Sequence, residues 1–152
     1  MSKDRPWGQG TPVLLRDATA NDSDKSFTVP AGKVRVYTVI IGQLVATATV
    51  GNRSLNIELT DGTNKIMTFP GSGNVAASSS GMVTAGIQSA ANTTIARLRL
   101  DSNAAVAIIN DNPMLVPLIV PAGYVVRVWD VNAVDAAADD LTVVLHYVEY
   151  DA

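Results

Sequence analysis

From residue 55 to residue 60 the chain alternates strictly: Leu55, Ile57 and Leu59 are apolar, while Asn56, Glu58 and Thr60 are polar. A period of two sends alternate side chains to opposite faces, the signature of a half-buried strand. The same rhythm recurs about every ten residues. Residues 33–41 place Val34, Val36, Thr38 and Ile40 on one face, and residues 44–50 continue past Gly42, which reads as a bend or bulge. In residues 94–100, Ala96, Leu98 and Leu100 face one way and Arg97 and Arg99 the other. Further strand-like runs are 26–29, 65–69, 82–88, 105–109, 115–120, 124–131 and 141–150. Pro117 marks the run 115–120 as an edge strand or one that carries a bulge, since proline cannot donate to a ladder. Thr60-Asp61-Gly62-Thr63 is a turn, residues 71–81 are a Gly/Ser-rich loop, and the Ala-rich stretch 133–140 reads as a loop rather than a helix. This spacing predicts an all-β fold: a single antiparallel β-sandwich, jelly-roll-like, of about eight to ten strands. Val34, Val36, Leu55, Ile57, Leu59, Leu98, Leu100, Val126 and Val128 are its expected core.

Two departures from simple alternation carry further expectations. Val39-Ile40-Ile41 is apolar on both faces of its strand, which predicts that Val39 and Ile41 meet another subunit. Residues 1–25 are rich in Asp, Asn, Ser, Gly and Pro, with Trp7 and Leu14-Leu15 as isolated apolar residues. They are expected to form an extended N-terminal arm, distinct from a sandwich domain over 26–152. Residues 1–20 of it would leave the sandwich and lie on a neighbouring subunit or on a larger partner protein of the same assembly, anchored by Trp7, Leu14 and Leu15. An arm folded back as an extra edge strand is the alternative.

The chain also echoes itself. Val29-Pro30-Ala31-Gly32 returns as Val120-Pro121-Ala122-Gly123, 91 residues later, and each copy leads into a long strand. That interval is too long for a solenoid repeat, and two corresponding turns of a two-Greek-key sandwich account for it.

Composition narrows the function. Charged residues are 16% of the chain against a usual share of roughly 25%, so a surface partly covered by partners is expected. Aromatics are only 5%, which argues against a small-molecule site walled by rings. A net charge of -3 without a basic stripe argues against nucleic-acid contact. The longest apolar runs are too short to span a bilayer, and the residues from Met1 to Pro6 carry no apolar leader, so a soluble product made in the cytosol is expected. With no cysteine, disulfides and thiolate chemistry are excluded.

Catalytic constellations are hard to assemble. His146 is the single histidine, shares a face with Val144 and Val148, and reads as a strand residue. A zinc site needs more ligands, and no Gly-x-Ser-x-Gly elbow is present. Gly71-Ser72-Gly73-Asn74 lacks the Gly-Lys-Ser/Thr ending of a phosphate loop. Asp130, Asp135, Asp139 and Asp140 lie close in sequence and would suit a hard cation, although a solvated polar loop gathers such residues equally well. No enzyme, no cofactor and no metal is therefore expected.

The two Val-Pro-Ala-Gly turns, the 55–59 strand running into Thr60-Asp61-Gly62, and the long closing strand 141–150 together resemble the jelly-roll decoration, or cement, proteins on the heads of tailed bacteriophages. The resemblance covers roughly residues 26–150. It implies a small structural virion protein on the capsid exterior that forms a homotrimer at three-fold sites and clamps a major capsid protein. It carries over no catalytic residue. Other virion roles, in a tail, a fibre, a receptor-binding domain or a jelly-roll coat protein, fit the same residues. So does a lectin-like carbohydrate-binding module, which would need Trp7, Tyr37, Trp129 or Tyr147 to converge.

Overall fold

The computed structural model describes residues 9–71, 74–86 and 117–152. The described residues form nine strands and no helix: β1 (Thr11–Asp17), β2 (Asp24–Thr28), β3 (Lys33–Val45), β4 (Leu55–Thr60), β5 (Lys65–Pro70), β6 (Ser80–Gly86), β7 (Leu118–Val120), β8 (Val125–Asp130) and β9 (Asp140–Asp151). One sheet has the order β1-β9-β3-β6, with β7 also paired to β3; the other is β2-β8-β4-β5. All the ladders between them are antiparallel.

The pairing defines a jelly roll. The ladders β1·β9, β2·β8, β3·β6 with β3·β7, and β4·β5 describe one long hairpin ribbon whose tip is the β4–β5 turn. Two further ladders, β3·β9 and β4·β8, appear because that ribbon is rolled up on itself. At the tip, Gly62 has φ +92°, and Asp61 Oδ1 accepts from the backbone N–H of Thr63 and Asn64 at 2.8 and 2.6 Å. The turn expected there is thus closed by Asx-turn chemistry.

The sequence echo has a structural counterpart. Both Pro-Ala-Gly turns carry the chain from one sheet to the other, with Gly32 at φ +72° and Gly123 at φ +83°. Each closes by the same bond, Lys33 N–H to Pro30 O and Tyr124 N–H to Pro121 O. The two turns also join: Val29 N–H donates to Tyr124 O and Gly123 N–H to Val29 O, each at 2.9 Å. One end of the sandwich is thus closed by two copies of one turn.

The core lies between the sheets. Leu55, Ile57 and Leu59 of β4 and Val126 and Val128 of β8 are buried as expected, and meet Ile40, Leu44, Val143 and Leu145 from the other sheet. Leu98 and Leu100, and the strands expected at 94–100 and 105–109, lie outside the described residues.

β3 departs from the expected alternation. Tyr37 pairs with Tyr147 and Val39 with the next residue back, His146, so Thr38 is one residue extra: a β-bulge. The shift reverses the inward face. Tyr37, Ile40 and Leu44 are fully buried between the sheets, whereas Val34 and Val36 lie on the other side of β3; Val34 is buried as expected, though outside the inter-sheet cluster, and Val36 is only half-buried. Val34, Val36, Thr38 and Ile40 therefore do not share a face. The strand runs unbroken through Gly42, so Gly42 is not the bend it was expected to be. A Cβ there would fall 2.5 Å from Val128 Cγ1 of the opposite sheet, so glycine is required for close approach of the two layers.

The N-terminal region differs as well. Residues 11–17 are not an extended arm but the edge strand β1, in register with β9 from Thr11↔Glu149 to Asp17↔Val143. The domain boundary expected at residue 25 falls inside β2. The cause is local amphipathicity: Val13 and Leu15 point inward and pack against the core, while Leu14 points out. Lys25, 2% exposed, adds a second tie, bonding Thr19 O and Asp22 Oδ2 at 3.0 Å each and lying 3.4 Å from Asp17 Oδ1.

Candidate interaction face

The two sheets present unlike outer faces. On the β2-β8-β4-β5 sheet the outward positions are Asp24, Ser26, Thr28, Arg127, Trp129, Asn56, Glu58 and Thr60, a mostly polar set in which Glu58 is 6% exposed and the Asn56 Oδ1 and Trp129 Nε1 atoms are buried. Arg127 forms a forked ion pair with Asp24 and lies 3.8 Å over the Trp129 ring, and Lys65 Nζ reaches Glu58 Oε2 at 2.8 Å.

On the other sheet, register sorts the outward side chains into rows. One row is Tyr150–Val34 and the next Pro12–Val148–Val36–Ile119. Leu14–His146–Val39 follows, then Arg16–Val144–Ile41–Thr84. The last rows, Thr142–Gln43–Met82 and Asp140–Val45–Ser80, are more polar. The first four rows span about 20 Å along the strands and about 20 Å across them, roughly 400 Å² in projection. A patch of that size is within the range of the largest apolar patch on a typical monomer, which is often functional, and Arg16, His146 and Thr84 interrupt it. Leu14 is 73% and Ile119 60% exposed.

This face holds three of the five residues expected at a partner interface. Val39 and Ile41 sit on it half-buried, and Leu14 stands out from it. Leu15 does not belong there, because β1 turns it into the protein's own core. Trp7 lies outside the described residues. His146 is exposed on the same face, where its Nδ1 is 2.6 Å from Thr38 Oγ1, the extra residue of the bulge. The aromatic residues do not make a sugar platform. Tyr37 and Tyr147 are buried against each other in the core, 5.1 Å between ring centres, while Trp129 projects from the opposite sheet.

The four loop carboxylates are each engaged separately. Asp139 is fully buried and takes a bidentate pair from Arg53, Nε to Oδ2 at 2.5 Å and Nη2 to Oδ1 at 3.1 Å, plus the Thr47 N–H at 2.8 Å. Asp135 accepts the hydroxyls of Thr47 and Thr49 at 2.6 and 2.7 Å, and those two bonds hold its carboxyl below the usual range. Asp130 accepts the N–H of Ser54 at 2.7 Å, and Asp140 that of Asn21 at 2.6 Å. Among the described residues no group of three or more His, Cys, Asp or Glu is placed to hold a metal ion. The arrangement is a latch between the 46–54 and 130–140 loops. Arg53 went unnoticed in the sequence because its partner is 86 residues away and no periodicity links them.

No family model matches the chain, and no curated protein matches it. Among solved structures, the structure of infectious bursal disease virus Gx strain is 12% identical, with a TM-score of 0.28. That likeness covers 93% of this chain and 38% of the viral chain. The strand pairing, not this likeness, carries the fold.

Proposed function

We propose that this protein is a non-enzymatic structural component of a virus particle, a capsid decoration or cement protein that works by packing against other protein subunits. The apolar outer face of the β1-β9-β3-β6 sheet is the observation that carries the reading. Face-to-face or face-to-lattice burial of the rows through Val39, Ile41, Val144 and Leu14 would remove apolar surface from water at about 25 cal/mol per Å². A closed ring, a trimer, satisfies that face without open-ended growth, and a major capsid protein is the second partner. The viral setting rests on the resemblance of the two Val-Pro-Ala-Gly turns and the closing strand to phage decoration proteins.

The test is association of the full chain, followed by light scattering over a wide concentration range. The expected result is a trimer that Ile41→Asp converts to a folded monomer. In parallel, antibody against the chain is expected to label intact particles from the native source under the electron microscope. A wild-type protein that stays monomeric at high concentration and labels no particle would overturn the proposal.

A further inference from the structure

One end of the apolar face has features of its own, independent of the association proposed above. Val34 lies in the outermost row opposite Tyr150, outside the core cluster, and yet is only 7% exposed. The charges at this end do not point onto the face: Arg35 pairs with Glu149 at 2.8 Å and lies 4.6 Å over the inward Tyr147 ring, and Lys33 pairs with Asp151 at 2.7 Å. What remains on the outer side is Val34, Val36, Val148 and Tyr150, a dry strip across β9 and β3.

Gly10 shows where the chain comes from. A Cβ on Gly10 would fall 2.4 Å from Val148 Cγ1 and 2.5 Å from Tyr150 Cε1. Both of those side chains project outward, so the backbone just before β1 has moved off the sheet edge and onto the outer face. Only glycine, with no Cβ, passes so close. Trp7 stands three residues earlier. Three residues span up to about 10 Å, and β3 is about 4.8 Å beyond β9. Val36 and Val34 therefore lie within the span of a residue three positions before Gly10. The segment around it, Arg5-Pro6-Trp7-Gly8-Gln9-Gly10, has no other apolar residue of size to shelter a tryptophan.

We infer that the strip formed by Val34, Val36, Val148 and Tyr150 is the seat of the chain's own N-terminal segment, with Trp7 as the anchor. The segment then extends the apolar face rather than leaving it, and the rows through Val39, Ile41 and Leu14 are what remains open to a partner.

A Trp129→Phe background leaves Trp7 as the single tryptophan. In the full chain the expected result is a blue-shifted Trp7 emission, protected from acrylamide, with both properties unchanged on dilution. Gly10→Val, which pushes the backbone off Val148, is expected to shift the emission to the red and restore quenching. Val36→Thr, which keeps shape and adds a hydroxyl, is the second variant in case Gly10→Val does not fold, and is expected to act in the same direction. A solvent-exposed Trp7 in the folded protein would overturn the assignment. So would protection that is lost on dilution, which would move the seat to a second copy. Ile41→Asp lies outside the strip and is expected to leave Trp7 protected, so the failure of the association proposal and the failure of this one give different readouts.

Discussion

Arg53 and Asp139 are both fully out of water, and each depends on the other. Removing one partner of such a pair leaves an uncompensated buried charge, at a cost of roughly 3–5 kcal/mol. Arg53→Ala, and equally Asp139→Asn, which keeps the shape but leaves the Arg53 guanidinium buried without its counter-charge, are each expected to lower stability by about that amount in urea denaturation. Three other carboxyls make the fold sensitive to acid. Backbone N–H of Thr19, with Lys25 nearby, lowers Asp17; the N–H groups of Asn64 and Thr63 lower Asp61; the hydroxyls of Thr47 and Thr49 lower Asp135. A carboxyl whose folded value is depressed stabilises the fold above its unfolded value of about 4, and that stability is lost as pH falls through the lower folded value. Denaturation midpoints are expected to be level near neutrality and to fall below about pH 4. The deficit of Asp135→Asn relative to wild type is expected to shrink over the same acid range. The Asp61 turn was legible in the chain because its partners are two and three residues on, whereas Thr47 and Asp135 are 88 residues apart and only folding brings them together.

At the scale of single strands, alternation identifies faces wherever the ladder is regular, as in β4, where Leu55, Ile57 and Leu59 are all buried. It failed in β3, where one extra residue exchanged the two faces after Tyr37. A bulge has no composition signal of its own; it is set by how β3 must fit β9. β1 shows the opposite case, a strand missed because only four of its residues, Pro12 to Leu15, are apolar and the surroundings are polar. Its two adjacent leucines make a test. Leu15→Ala is expected to cost roughly 2 kcal/mol, the low end for a leucine packed against a core. Leu14→Ala, at a 73% exposed position, is expected to change stability by no more than about 0.5 kcal/mol. Gly42→Ala puts a methyl against the β-branched Val128, and is expected to destabilise by about 1–3 kcal/mol through overpacking. Thermal unfolding of the three variants checks all of these.

The described residues form a rolled ribbon whose two sheets differ in their outer faces, one mostly apolar and one mostly polar. If the apolar face is the one that associates, Leu14→Glu should weaken self-association in sedimentation experiments, while Ser26→Lys on the opposite sheet should leave it unchanged. Loss of association from both would assign it elsewhere. The residues alone determined the class of fold, the β4–β5 turn at Asp61-Gly62, the paired Pro-Ala-Gly turns and most of the β4 and β8 core. These depend on period, on turn chemistry and on burial of apolar side chains, which act over a few residues. The tertiary structure decided which apolar residues of β3 and β1 face the core, why Gly42 and Gly10 are glycine, and where the loop carboxylates find their partners. Those outcomes depend on register and on the spacing between layers, which exist only once strands distant in sequence have paired.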